Sequence, residues 1–88
     1  MPYAINLADL LTPDVAADVG LSVLLRPVLD RKQVIQIDAK KRFDEMGVRL
    51  DCDEERAEAI TAIIRKRYPK HQLRIYHSKT GNGGWKRI

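Results

Sequence analysis

The chain has 88 residues, 44% of them hydrophobic and 32% charged, with a net charge of +4. That is the size and balance of one small ordered domain with a thin core, and it leaves no room for a second domain. No apolar run reaches the ~18–20 residues of a membrane helix, Met1-Pro2-Tyr3-Ala4 lacks the order of a signal peptide, and Cys52, alone, makes neither an internal disulfide nor a cysteine zinc site, so a cytoplasmic protein without cofactor or metal is expected.

Tyr3, Ile5 and Leu7 alternate with Ala4, Asn6 and Ala8, the period-two signal of a short strand. Thr12-Pro13-Asp14 then marks a helix start: Thr12 can cap it, Pro13 needs no amide donor at the first position, and Asp14 and Asp18 suit the positive end. Val15, Val19 and Val23, with Ala16 and Leu24, predict the buried stripe. Pro27 predicts an end or kink near Leu25–Arg26, with Val28-Leu29 packing beneath the exit.

Gln33 to Ala39 reads as a strand, with Ile35, Ile37 and Ala39 on one face and Gln36 and Asp38 on the other. Lys40 to Gly47 fits either a hairpin loop or a two-turn helix stopped by Gly47. Val48, Leu50 and Cys52 alternate with Arg49, Asp51 and Asp53 as another strand. Asp53 then caps a helix that starts with Glu54-Glu55, ends in Arg65-Lys66-Arg67 and lines Ala57, Ile60, Ile64 and Tyr68 on one face before Pro69. Leu73, Ile75 and His77 alternate with Arg74, Tyr76 and Ser78. Lys79-Thr80-Gly81-Asn82-Gly83-Gly84 is a turn, and Trp85 to Ile88 returns as a final strand.

The order strand, helix, strand, strand, helix, strand predicts an α+β two-layer sandwich. Specifically it is the ferredoxin-like split βαβ (βαββαβ) arrangement with a C-terminal β-hairpin extension. If the first strand is absent, an αββαββ domain remains. The open sheet face would carry Asn6, Gln36, Asp38, Arg49, Asp51, Arg74 and Tyr76. Two carboxylates and one aromatic make a poor platform for stacking bases.

Charge is distributed unevenly. Residues 1–30 carry −3, residues 31–64 carry −1, and residues 65–88 carry +8 with no acid at all. Such a one-ended distribution is the footprint of a polyanion or of an acidic protein surface. Dipole matching at a helix end accounts for Arg65, Lys66 and Arg67 without a ligand, and Lys40-Lys41-Arg42 reads as a solvated loop beside Asp38, Asp44 and Glu45. Lys79, Lys86 and Arg87 surround a glycine turn with Trp85 beside it, and Arg65, Lys66 and Lys70 lie upstream as further basic candidates. The candidate binding residues are therefore Arg65, Lys66, Lys70, Arg74, Tyr76, Lys79, Trp85, Lys86 and Arg87. His71 lies upstream among these cations. The turn lacks the spacing of a phosphate-binding P-loop.

Catalytic residues are not expected. Cys52 sits between Asp51 and Asp53, which oppose thiolate formation, and His71 and His77 have no third metal ligand. The one enzymatic arrangement worth carrying forward is RNA cleavage by His77 helped by Arg74, Tyr76 and Lys79. The leading expectation is a non-catalytic nucleic-acid-binding module, for RNA or DNA. The alternative is a protein-interaction or inhibitor module, of the phage or plasmid type, docking an acidic partner surface with Trp85, Tyr76 and Arg74 as anchors. A free edge strand would also offer a route to a homodimer.

Overall fold

The computed structural model describes residues 2–37, 46–81 and 83–88. It is an α+β arrangement in the order β1 (Tyr3–Asn6), α1 (Leu7–Leu10), α2 (Pro13–Ala16), α3 (Val19–Leu25), β2 (Leu29–Gln36), β3 (Met46–Leu50), α4 (Glu54–Arg67), β4 (Ile75–His77) and β5 (Lys86–Arg87). The five strands form one sheet in the order β2-β3-β1-β4-β5, and every neighbouring pair is antiparallel. The first strand is therefore present, and it lies at the centre of the sheet, which removes the αββαββ alternative.

Ile5 on β1 pairs with Val48 on one side and Ile75 on the other, and is fully buried. Tyr3, Ile5, Leu50 and Ile75 pack against Val15, Leu21, Leu25, Ala57, Ile60 and Ile64, so the helices cover that face of the sheet. Burying a large aliphatic side chain in such a layer contributes about 1.5–3 kcal/mol before the ordering cost. The last helix follows its sequence closely. Asp53 accepts the Arg56 amide as N-cap, Glu54 and Glu55 fill the first turn and Arg65, Lys66 and Arg67 the last, and Ala57, Ile60 and Ile64 are buried.

The first helical segment departs from expectation. The chain breaks at Ala17–Asp18, where Asp18 becomes the N-cap of α3 by accepting the Leu21 amide at 3.0 Å. The break changes the phase of the helix. Leu21 and Leu25 join Val15 inside, while Val19 and Val23 stand 74% and 61% exposed. Thr12 occupies the N-cap position of α2, but its hydroxyl donates to the Asp9 carbonyl and not to its own helix. Leu7 opens α1 and does not extend the strand.

The second strand starts at Leu29, earlier than the sequence suggests, and ends at Gln36. An irregularity between Asp30 and Val34 shifts its register, so Val34 pairs with Val48 and Gln36 with Met46, on the helix side. Ile35 and Ile37 consequently lie on the opposite face, the reverse of the expected assignment. Gly47 is a strand residue paired with Asn6 and Ile35, not a helix stop, and a methyl there would come within 2.6 Å of Ile37 Cδ1. Asp38 and Ala39, with the loop-or-helix question over Lys40 to Glu45, lie outside the described residues.

Candidate nucleic-acid interface

The eight cations of residues 65–88 separate into groups with different surroundings. Arg74 is held by Asp9: its backbone amide and Nε donate to Asp9 Oδ2 at 2.9 and 2.8 Å, and Nη2 donates to Oδ1 at 3.3 Å. Asn6 places that carboxylate, because its Oδ1 caps α1 by accepting the Asp9 amide at 3.2 Å. Arg67 is held by Asp18, donating from Nε and Nη2 at 2.5 Å each, while the Tyr68 hydroxyl donates to Asp18 Oδ2 at 2.7 Å. Gly20 leaves room for this pair, since a methyl there would stand 3.2 Å from Arg67 Nη2. The guanidinium and the Leu21 amide hold the Asp18 carboxyl well below the usual carboxylate range. Both ion pairs join the acidic N-terminal third to the basic C-terminal one.

Arg65 Nη1 lies 2.8 Å from His71 Nδ1. A guanidinium only donates, so Nδ1 is the accepting nitrogen. His71 itself sits in the left-handed region at φ 61°, just beyond the end of α4. Lys66 and Lys70 are exposed beside it. These residues precede the start of β4.

Past the other end of β4 the arrangement differs. Lys79, Lys86 and Arg87 are exposed, Trp85 is half-buried, and no ion pair joins these cations to an acid among the described residues. Lys86 pairs with His77 and Arg87 with Tyr76, so the two cations project to opposite faces of the outermost strand and wrap the sheet edge. The turn leading to them is built from inside. Ser78, 1% exposed, accepts the Gly81 amide at 3.0 Å and donates to the Gly83 carbonyl. Gly81 at φ +80° packs on the N-terminus, where a methyl would come within 2.8 Å of Pro2 Cγ and 3.3 Å of Arg49 Nη2. Gly84 also needs its positive φ of +65°.

Register adds Arg49, placed on the open face by the sequence but not among its candidate binding residues. On the face away from the helices, Arg49, Ala4, Tyr76 and Arg87 form one cross-strand row over β3, β1, β4 and β5. Arg49 thus joins the basic turn from a distant part of the chain. It also lines a polar cleft of about 390 Å³ with Pro2, Leu50, Asp51, Cys52, Asp53 and Glu54. The acids there set the cleft apart from an anion site. A separate groove of about 240 Å³ is aliphatic, lined by Leu7, Leu10, Leu11, Leu29, Val34 and Val48.

Of the other sequence candidates, Tyr76 is 5% exposed and its hydroxyl receives Asn6 Nδ2 at 3.4 Å, so it is no surface anchor. The ribonuclease arrangement is divided by strand alternation. His77 lies against Tyr3 on the helix side, with ring centroids 4.9 Å apart, whereas Tyr76 is on the other face and Arg74 is engaged by Asp9. Cys52 is partly buried against the core, and burial, with Asp53 and Asp51 adding to it, pushes its thiol up. Among the described residues no group of three His, Cys, Asp or Glu side chains could hold a metal ion, and no helix is long and apolar enough to cross a membrane. Comparison with protein-family models, with curated proteins and with solved structures returns no match to this chain.

Proposed function

We propose that the chain is a non-catalytic nucleic-acid-binding module that uses the basic turn and outer strand of its C-terminal third. The observation that carries this reading is the contrast in charge pairing. Arg67 and Arg74 are neutralised by Asp18 and Asp9, while Lys79, Lys86 and Arg87, close to Trp85 in the chain, are exposed and joined by no ion pair to an acid among the described residues. Exposed cations meet phosphates, and an indole offers a stacking surface to a base. The scaffold belongs to the same proposal. Antiparallel strands in the order β2-β3-β1-β4, with β5 appended outside β4, support a ferredoxin-like split βαβ unit extended by a hairpin.

Fluorescence anisotropy with labelled single-stranded RNA, single-stranded DNA and duplex DNA, at low and near-physiological salt, tests the reading. Binding should weaken steeply with salt, survive His77→Ala and fall most for Lys86→Glu with Arg87→Glu. Unchanged affinity in that charge-reversed variant overturns the assignment. Absence of binding to every probe at both salts would favour a protein partner with an acidic surface, detected by stoichiometric co-purification.

A further inference from the structure

The glycine turn has two kinds of glycine. Gly81 is packed against Pro2 and Arg49 and could not carry a side chain without displacing them. Gly83 and Gly84, by contrast, have nothing within 4 Å of the position a side chain would occupy. Internal packing therefore does not explain the lack of side chains at both. Gly84 needs glycine for its positive φ, but Gly83 has neither positive φ nor a neighbour to avoid. A side chain at Gly83 would point into open space, although the residue itself is half-buried. Gly83 is held in place by the bond from buried Ser78 to its carbonyl and flanked in the chain by Lys79 and by Trp85-Lys86.

Resting on the nucleic-acid reading above, we propose that this turn seats a backbone phosphate of a single-stranded nucleic acid. In this arrangement the phosphate approaches the main chain at Gly83–Gly84, Lys79 and Lys86 supply the charge, and a neighbouring base stacks on Trp85. A pair of glycines anchored at the Gly83 carbonyl and close in the chain to Lys79 and Lys86 is suited to close approach by a phosphate. Stacking on one indole is worth about 1–3 kcal/mol per base and needs an unpaired base.

Duplex geometry fits less well. Reading a duplex groove calls for a helix or a two-stranded ribbon that can enter it. The longest helix begins with exposed Glu54 and Glu55, which would face the phosphates, and buries its apolar face in the core. The terminal hairpin is no free ribbon, since β4 lies inside the sheet between β1 and β5.

The test combines Gly83→Ala with the intrinsic fluorescence of Trp85, the chain's single tryptophan. The probes are a labelled single strand of about ten nucleotides, within the usual span of one small domain, and its duplex. Gly83→Ala does not lower the melting temperature, because the added methyl meets nothing and the residue needs no positive φ. It lowers single-strand affinity about tenfold, equivalent to about 1.4 kcal/mol. Trp85 emission in the wild type is quenched by the single strand and much less by the duplex. Equal affinity of Gly83→Ala and wild type, or equal quenching by duplex and single strand, overturns this inference while leaving nucleic-acid binding itself standing. Failure of the wild type to bind either probe overturns both.

Discussion

At the start of β4, Arg74 is locked onto Asp9, and at the end of α4, Arg67 is locked onto Asp18; past the other end of β4, Lys79, Lys86 and Arg87 extend into solvent. All five cations come from one acid-free stretch of sequence, and their different surroundings are set by the tertiary fold. Where β4 meets α1, and where α4 meets the start of α3, the acidic N-terminal third supplies a carboxylate for each arginine. Around the turn and the outer strand, no described acid is joined to any of the three cations. The comparison separates charge that holds the domain together from charge left available to a partner.

The largest stability effect should come from the pair at β4. Arg74→Ala removes the two side-chain hydrogen bonds to Asp9 and leaves a carboxylate whose side chain is only 14% exposed without the guanidinium. The backbone amide of residue 74 remains as a donor, so the loss is two side-chain bonds plus the charge. A cost of about 2–3 kcal/mol is expected, read as a lowered denaturant midpoint at constant slope. A change under about 0.5 kcal/mol would erase the distinction between this arginine and those at the sheet edge.

The second clamp should reveal itself through pH. Asp18 is held ionised in the folded chain well below its ordinary value of 3.8, so its contribution is fully present above that value. It is lost as the pH falls toward the strongly acid folded value, because the unfolded state then binds the proton more readily. Wild-type stability should therefore decline as the pH drops below about 4, and Asp18→Asn should flatten that decline while lowering stability at neutral pH. Denaturant midpoints measured between about pH 2 and 7 check this. Parallel profiles for the two proteins would show that the Arg67 pairing contributes nothing distinctive.

A smaller effect is expected where the turn meets the domain. Gly84→Ala places a side chain in open space but forces it into φ +65°, a cost of about 1 kcal/mol or slightly more. Gly81→Ala adds a steric conflict with Pro2 to a similar backbone cost, so it should be the more damaging of the two. Thermal melts rank them, and the reverse order would mean that the turn is not anchored through Gly81.

Parts of this arrangement were readable from the chain because their determinants are local. The last helix announces itself through Asp53, Glu54-Glu55, the spacing of Ala57, Ile60 and Ile64, and Pro69. Lys79, Trp85, Lys86 and Arg87 are near neighbours in sequence, so their clustering needed no tertiary information. The break before α3 was hidden because four-residue valine spacing looks the same whether or not Asp18 starts a new helix. The face reversal in β2 depends on an irregularity in pairing that alternation alone does not reveal. Arg74 and Tyr76 looked like surface anchors until Asp9 and Asn6, 65 and 70 residues away in the chain, claimed them. Arg49 entered the candidate site by the same long-range route, through strand register and the packing of Gly81.

The smallest stability effect carries the sharpest functional contrast. Lys86→Ala with Arg87→Ala removes two exposed side chains from the outermost strand, where no acid among the described residues is left unpaired by their loss. Stability should stay within about 0.5 kcal/mol of wild type, unlike the cost at Arg74. If both cations meet phosphates of a single strand, the slope of log affinity against log salt should become shallower by roughly 1.4, since each contact contributes about 0.7. The two measurements constrain each other. Lost stability with an unchanged slope would make the outer strand a structural element like the clamps, whereas intact stability with a shallower slope assigns its charge to the partner.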